Sequence, residues 1–291
     1  MSKNVLSLSI FLILGAMILA PIYPNFGQGQ SGNSTSSVIR NVTALSNLAG
    51  NNSQVELENR TVNYFSDATG YLVYPLSKKE QTTNETKLPA VIMIHENKGL
   101  NAHIKNMANL LAQQGYVVLA VDLFKGEVVT EQNDSRRLTQ EVRSNPEIAI
   151  NNLQSAVNYV SSLPNVNPSR IASMGWCFGG GQSLQLALNS QDHPLAATII
   201  YYGSALVTDS SNLSKIKWPV LGVFGDQDRG IPVEKVNEFK ATLDEVGVPN
   251  EIYIYKGVGH AFANPSGENY APAETRDAWD KTVAFLKKYL G

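Results

Sequence analysis

From Leu88 to the C-terminus, short apolar runs alternate with amphipathic stretches, and no other feature restricts the possible folds so strongly. The runs "LPAVIMIHE", "YVVLAVDLF", "RIASMGW", "LAATIIYYG", "WPVLGVFG" and "NEIYIYKG" are strand-length, and the first two lack a polar face. Strands buried on both sides read in this way. Between them come segments of helical spacing. "NAHIKNMANLLAQQGY" places Ile104, Met107, Leu110 and Leu111 on one stripe and ends on glycine. "PEIAINNLQSAVNYVSSL" opens on Pro146 and aligns Ile148, Ile150, Leu153, Val157 and Val160. "GGGQSLQLALNS", "VEKVNEFKATLDEVG" and "AETRDAWDKTVAFLKKYL" complete the helical set. Strands and helices in this rhythm predict βαβ units: an α/β domain with a mostly parallel central sheet and helices on both faces. Ahead of them, "VELENRTVNYFS" and "ATGYLVYPL" read as a hairpin turning through "SDATG".

The N-terminal part has a different character. Lys3 precedes an apolar run from Val5 to Ala20, too short for a span of about 20 residues and without a polar face. Residues 1–22 are expected to be a signal peptide or N-terminal anchor, so the protein is expected to be exported, extracellular or membrane-anchored on the outer face. Residues 23–54 are rich in Ser, Asn, Gly and Thr and cannot bury enough surface to offset their ordering entropy; they read as a flexible polar linker. The α/β domain is then 55–291. N-x-S/T acceptors stand at Asn33, Asn41, Asn51, Asn59, Asn84, Asn133 and Asn212, candidates for glycosylation in an exported chain.

The chain holds one cysteine, so no internal disulfide can form. That cysteine lies in "SMGWCFGGG", where a strand pattern ends and a helix pattern begins. Gly175-Trp176-Cys177-Phe178-Gly179 is the G-x-nucleophile-x-G turn with cysteine in place of serine. The turn is tight enough to strain the nucleophile's backbone and to exclude side chains at its flanks. The helix N-terminus behind it aims free N–H groups at the sulfur, favouring thiolate.

A base and an acid follow in the chain order of α/β-hydrolases. Of four histidines, His260 comes after the last strand, between glycine and the apolar "AF". His103 falls in a helix pattern and His193 in a polar loop, where both are expected to be solvated, and His95 is a candidate structural ligand to the backbone. The acid is Asp226 or Asp228 of "VFGDQDRGIP". Either could orient the imidazole while the other closes the turn.

"GWCFGG", "GDQDRGIP" and "GHAFA" together resemble the signatures of the dienelactone hydrolase family, α/β-hydrolases with a cysteine nucleophile. The resemblance runs from about Val62 to the C-terminus. It implies a catalytic set of Cys177, His260 and Asp228. It also implies a gating role for Glu96 of "IMIHENKG", whose carboxylate would contact the thiol at rest, and an oxyanion hole made of the backbone N–H groups of Asn97 and Phe178. Where members that act on the diagnostic lactone carry arginines, this chain has Lys125 and Asn264. The expected activity is therefore hydrolysis of a small-molecule carboxylic ester or lactone. An exported peptidase or acyltransferase of the same fold, or a non-catalytic binding domain, is the alternative.

Partners and cofactors are restricted by what is missing from the sequence. Net charge is −2 without a basic run, so no nucleic-acid partner is expected. HExxH and paired Cys/His spacings are absent, and "GWCFGGGQS" lacks the spacing and lysine of a phosphate loop. No metal and no cofactor are expected, and the chain is expected to be a monomer.

Overall fold

The computed structural model describes residues 55–76 and 87–291. The expected leader, the expected linker and the acceptors at Asn33, Asn41, Asn51 and Asn84 lie outside the described residues.

Eight strands form one sheet. β1 (Leu57–Phe65) and β2 (Ala68–Pro75) make the expected antiparallel hairpin, turning at Ser66 and Asp67. β3 (Leu88–Ile94), β4 (Val117–Val121), β5 (Val166–Trp176), β6 (Ala197–Tyr201), β7 (Val220–Gly225) and β8 (Asn250–Tyr255) follow. The order across the sheet is β1-β2-β4-β3-β5-β6-β7-β8, with β2 antiparallel to β4 and every pair from β4 to β8 parallel. β4, β6 and β7 are buried at every position. Covered on both faces, they need no alternation of polar and apolar residues, which explains their unbroken apolar sequences.

Seven helices accompany the sheet among the described residues. α1 (Ala102–Ala112) buries Ile104, Met107, Leu110 and Leu111 and is capped by the Asn101 side chain, which accepts from the Ile104 amide at 3.2 Å. α2 (Gln132–Ser144) and α3 (Pro146–Ser161) meet at a corner through Asn145. α4 (Phe178–Leu188) begins directly after β5, α5 (Ser210–Leu213) is a single turn, and α6 (Val233–Glu245) packs on β8. α7 (Pro272–Leu290) packs against β5, β6 and β7.

Two details depart from the sequence pattern. α2 was not expected, because "QNDSRRLTQEVRS" buries only Ser135, Leu138 and Thr139 and carries too few apolar residues to show a stripe. In α3 the expected stripe is rotated. Ala149, Leu153, Val157 and Val160 face inward, while Ile148 is 55% exposed.

Candidate active site

The site lies at the C-terminal ends of the parallel strands, where the chain leaves β3, β5, β7 and β8. The turn after β5 is tight. Cys177 has φ 53° and ψ −116°, a conformation that costs a non-glycine residue about 1–3 kcal/mol. The surroundings hold it there. The Cys177 amide donates to the Tyr201 carbonyl at 3.0 Å, and the Cys177 carbonyl accepts from the amides of Gly181 and Ser204, each at 3.2 Å. A Cβ on Gly175 would stand 2.2 Å from the Gly179 carbonyl oxygen, and one on Gly179 would stand 2.3 Å from that of Ile94. The glycines in "GWCFGG" are therefore required by the approach of β5, α4 and the end of β3.

The half-buried Cys177 sulfur lies 3.0 Å from His260 Nε2. His260 Nδ1 lies 2.7 Å from Asp228 Oδ2. The other Asp228 oxygen accepts from the amides of Gly230 at 2.8 Å and Ile231 at 3.1 Å, which locks the carboxylate in the turn after β7. The Asp228 side chain is 2% exposed and the His260 side chain 35%. Burial, the largest single influence on His260, favours the neutral ring. Hydrogen bonds to Asp228 and Cys177, with their charges, outweigh it and raise the imidazole pKa to about 10. The ring edge of Tyr202 packs on the imidazole at 5.3 Å, and Asn269 Nδ2 donates to the His260 carbonyl at 2.9 Å.

Asp226 stands apart from this line. Its Oδ1 accepts from the Gly257 amide at 2.7 Å and from Gln227 Nε2 at 3.1 Å, tying the end of β7 to the turn after β8. The geometry thus gives different surroundings to the two aspartates, of which the family resemblance singled out Asp228.

Glu96 is buried just beyond β3. Asn264 Nδ2 donates to Oε2 at 2.5 Å, and the Tyr202 hydroxyl donates to Oε1 at 3.5 Å. Burial pushes its pKa up to about 7, against the opposing effect of Asn264 and the charges of His260 and Lys98. The hydrogen-bond partner of the sulfur is His260, and Glu96 is held by Asn264 and Tyr202 instead. The signal for Asn264 was the missing arginine after His260. Tyr202 had none, because it reads as the end of a buried strand.

The segment carrying Glu96 and Asn97 is fixed by two groups. His95 is fully buried and accepts from the Leu123 amide through Nε2 at 3.1 Å, so Nδ1 carries the proton and donates to the Glu96 carbonyl at 2.6 Å. Ser135 Oγ, on α2, donates to the Asn97 carbonyl at 2.7 Å. The amides of Asn97 and Phe178 have no protein acceptor among the described residues. Lys125 is exposed after β4. Of the two histidines expected in solvent, His193 is exposed, whereas His103 is half-buried on α1 and burial lowers its pKa to about 4. No group of three or more metal-ligating side chains occurs among the described residues.

The Glu96 carboxyl makes a testable contribution to stability. An acid whose folded pKa is raised binds a proton more tightly in the native state, so its stabilising effect is present in acid and is lost as the pH rises through about 7. Glu96→Gln should therefore melt like wild type near pH 4 and at a higher temperature at pH 8. Superimposable melting curves of the two proteins from pH 4 to pH 8 would refute burial as the dominant influence on this group.

The strand order, with β2 alone reversed between β1 and β4, and the strained turn joining β5 to α4 define an α/β-hydrolase. Comparison with known proteins narrows the class. The sequence matches the dienelactone hydrolase family over residues 76–290. The chain belongs to the dienelactone hydrolase family and is a hydrolase. A relative in Saccharolobus solfataricus, named for carboxymethylenebutenolidase activity, is 30% identical over 249 residues, spanning 71% of this chain and 91% of its own. Protein usf of Aquifex pyrophilus is 30% identical over 209 residues, spanning 69% of this chain and 89% of its own. Among solved structures, a dienelactone hydrolase-like promiscuous phosphotriesterase from metagenomic libraries superposes with a TM-score of 0.72 at 22% identity, covering 81% of this chain and 99% of that one. That last likeness concerns the fold.

Proposed function

We propose that the protein hydrolyses small-molecule carboxylic esters or lactones through Cys177, His260 and Asp228. The observation that carries this reading is the continuous line from Asp228 Oδ2 through the imidazole to Cys177 Sγ, with spacings of 2.7 and 3.0 Å. Such a line sets a base, itself steered by a carboxylate, within hydrogen-bond reach of the nucleophile.

In this reading the sulfur attacks the ester carbonyl carbon, forming a C–S bond while the carbonyl electrons move to oxygen. The oxyanion is held by the amides of Asn97 and Phe178, which have no protein acceptor among the described residues. The intermediate collapses, the C–O bond to the alcohol breaks, and His260 Nε2 gives its proton to the departing oxygen. Water then attacks the thioester, with His260 taking a proton from it and returning one to the sulfur as the acid leaves. Asp228 keeps the imidazole aimed and stabilises its positive charge. For Glu96 to gate the thiol, its carboxylate must leave Asn264 and turn toward the sulfur.

The reading is tested by intact-protein mass spectrometry after brief mixing with aryl esters at low pH, where the thioester is hydrolysed slowly. One acyl mass should appear, on the peptide containing Cys177. Turnover without an acylated intermediate, or acylation elsewhere, would remove the cysteine mechanism, and the absence of both would leave a binding domain.

A further inference from the structure

The two amides proposed for the oxyanion, of Asn97 and Phe178, come from the segments that follow β3 and β5, and one side chain touches both segments. His95 is fully buried between them. Its Nδ1 donates to the Glu96 carbonyl at 2.6 Å, and its Nε2 accepts from the Leu123 amide at 3.1 Å. Its ring faces that of Phe178 at 6.0 Å with 26° between the planes. The Phe124 ring packs against both, 4.6 Å from His95 and 5.4 Å from Phe178. A Cβ on Gly179 would stand 2.4 Å from the His95 carbonyl oxygen, so α4 begins in direct contact with the His95 backbone.

We propose that His95 is the positioning residue of the oxyanion hole: one hydrogen bond fixes the direction of the Asn97 amide, and ring packing fixes the place of Phe178. The proposal rests on the reading of Cys177 as the nucleophile. The Glu96 carbonyl and the Asn97 N–H belong to one peptide unit, and none of the described peptide bonds is cis. In a planar trans peptide these two groups point in opposite directions. Holding the carbonyl toward the ring therefore turns the Asn97 N–H away from it, where it meets no protein acceptor among the described residues. Without that bond the peptide unit can rotate, and a carbonyl in place of the N–H would repel the oxyanion.

The ring can do this in one form only. The Leu123 amide needs an acceptor, so Nε2 is bare and Nδ1 carries the proton. Burial, the largest influence on His95, favours the neutral ring against the charge of Asp122, whose carboxylate lies 3.9 Å from Nε2, beyond hydrogen-bond reach. That carboxylate is itself engaged, accepting from the amides of Phe124 at 2.8 Å and Gly126 at 2.5 Å. The two ring nitrogens thus have separate duties, and substitutions can remove them one at a time.

The test compares two reactions of the sulfur. Acylation by p-nitrophenyl acetate passes through an oxyanion, whereas alkylation by iodoacetamide displaces iodide at a saturated carbon and needs none. Asparagine places its amide nitrogen where Nδ1 stands and can still donate to the Glu96 carbonyl. Glutamine reaches toward the Nε2 position and can serve the Leu123 amide alone. Loss of one oxyanion donor costs about 10²–10³ in rate. His95→Gln should therefore be acylated about 10²-fold more slowly than wild type, on the low side of that range, with alkylation of Cys177 within about threefold. His95→Asn should be acylated within about tenfold of wild type, because the donor is restored. Acylation of His95→Gln at the wild-type rate, equal losses of acylation in the two variants, or acylation and alkylation falling together would overturn the proposal and leave the hydrolase reading standing. Should His95→Gln not fold, nitrogen-15 spectra of histidine-labelled wild type decide, with the His95 signals assigned by their absence from His95→Asn. A protonated Nδ1 beside a bare Nε2 supports the proposal, and the opposite tautomer refutes it. Wild type that carries no acyl group on Cys177 after mixing with the ester would instead remove the hydrolase reading, and the proposal with it.

Discussion

Cys177→Ala is expected to lower ester turnover by about 10⁴–10⁶ while the protein remains folded. The loss is large because the reaction has no other nucleophile at the end of the His260 line, and water would have to attack the ester directly. Stability should change little. The sulfur is half-buried at a turn, and the alanine Cβ occupies the position of the cysteine Cβ. The backbone strain at φ 53° persists in the variant, because alanine is no more at ease there than cysteine. Glycine is, so Cys177→Gly should be equally inactive and more stable, by about 1 kcal/mol. Circular dichroism melts beside steady-state turnover separate the two effects. Alanine retaining more than about 1% of turnover would take the nucleophile away from Cys177. A glycine variant melting below wild type would show that the turn is not under strain.

Asp228→Asn should reduce kcat by about 10⁴, the scale seen when the group orienting a catalytic imidazole loses its charge. Asparagine can keep the bonds from the Gly230 and Ile231 amides through its oxygen. The atom facing His260 Nδ1 then becomes an NH₂ donor and imposes the wrong tautomer on the ring. The raised pKa of His260 depends in part on the Asp228 bond, so the variant's imidazole should titrate lower, and the pH dependence of kcat/KM should move with it. Asp226→Asn is the control. Asp226 touches the turn after β8 and not the imidazole, so its replacement should lower the melting temperature and leave kcat within about threefold. A severe kinetic loss in Asp226→Asn together with a mild one in Asp228→Asn would reverse the assignment.

Much of this architecture could be read without coordinates, for identifiable reasons. Fully buried strands such as Val117–Val121 leave an unmistakable apolar run, and α1 displays its stripe because one side of it faces solvent. The turn at Cys177 was visible because tight backbone contact excludes side chains and leaves glycine as its record. α2 was missed because it is so polar: Leu138 and Val142 are its only apolar residues, too few to stand out as a stripe. It nonetheless supplies Ser135 to position Asn97.

What the sequence by itself determined is the alternation of elements, the place of the strained turn, and the identity and order of thiol, carboxylate and imidazole. Residue type alone did not separate Asp226 from Asp228, which only the family resemblance favoured; the tertiary structure puts Asp228 against His260, since the two aspartates are two residues apart and differ in direction rather than in kind. It also decided that Glu96 is held by Asn264 and Tyr202, residues 168 and 106 positions away. The division has a physical cause. Burial and backbone crowding act on each residue locally and restrict its type. A hydrogen bond between distant side chains depends on where the whole sheet brings their elements together, and no single position in the sequence records that placement.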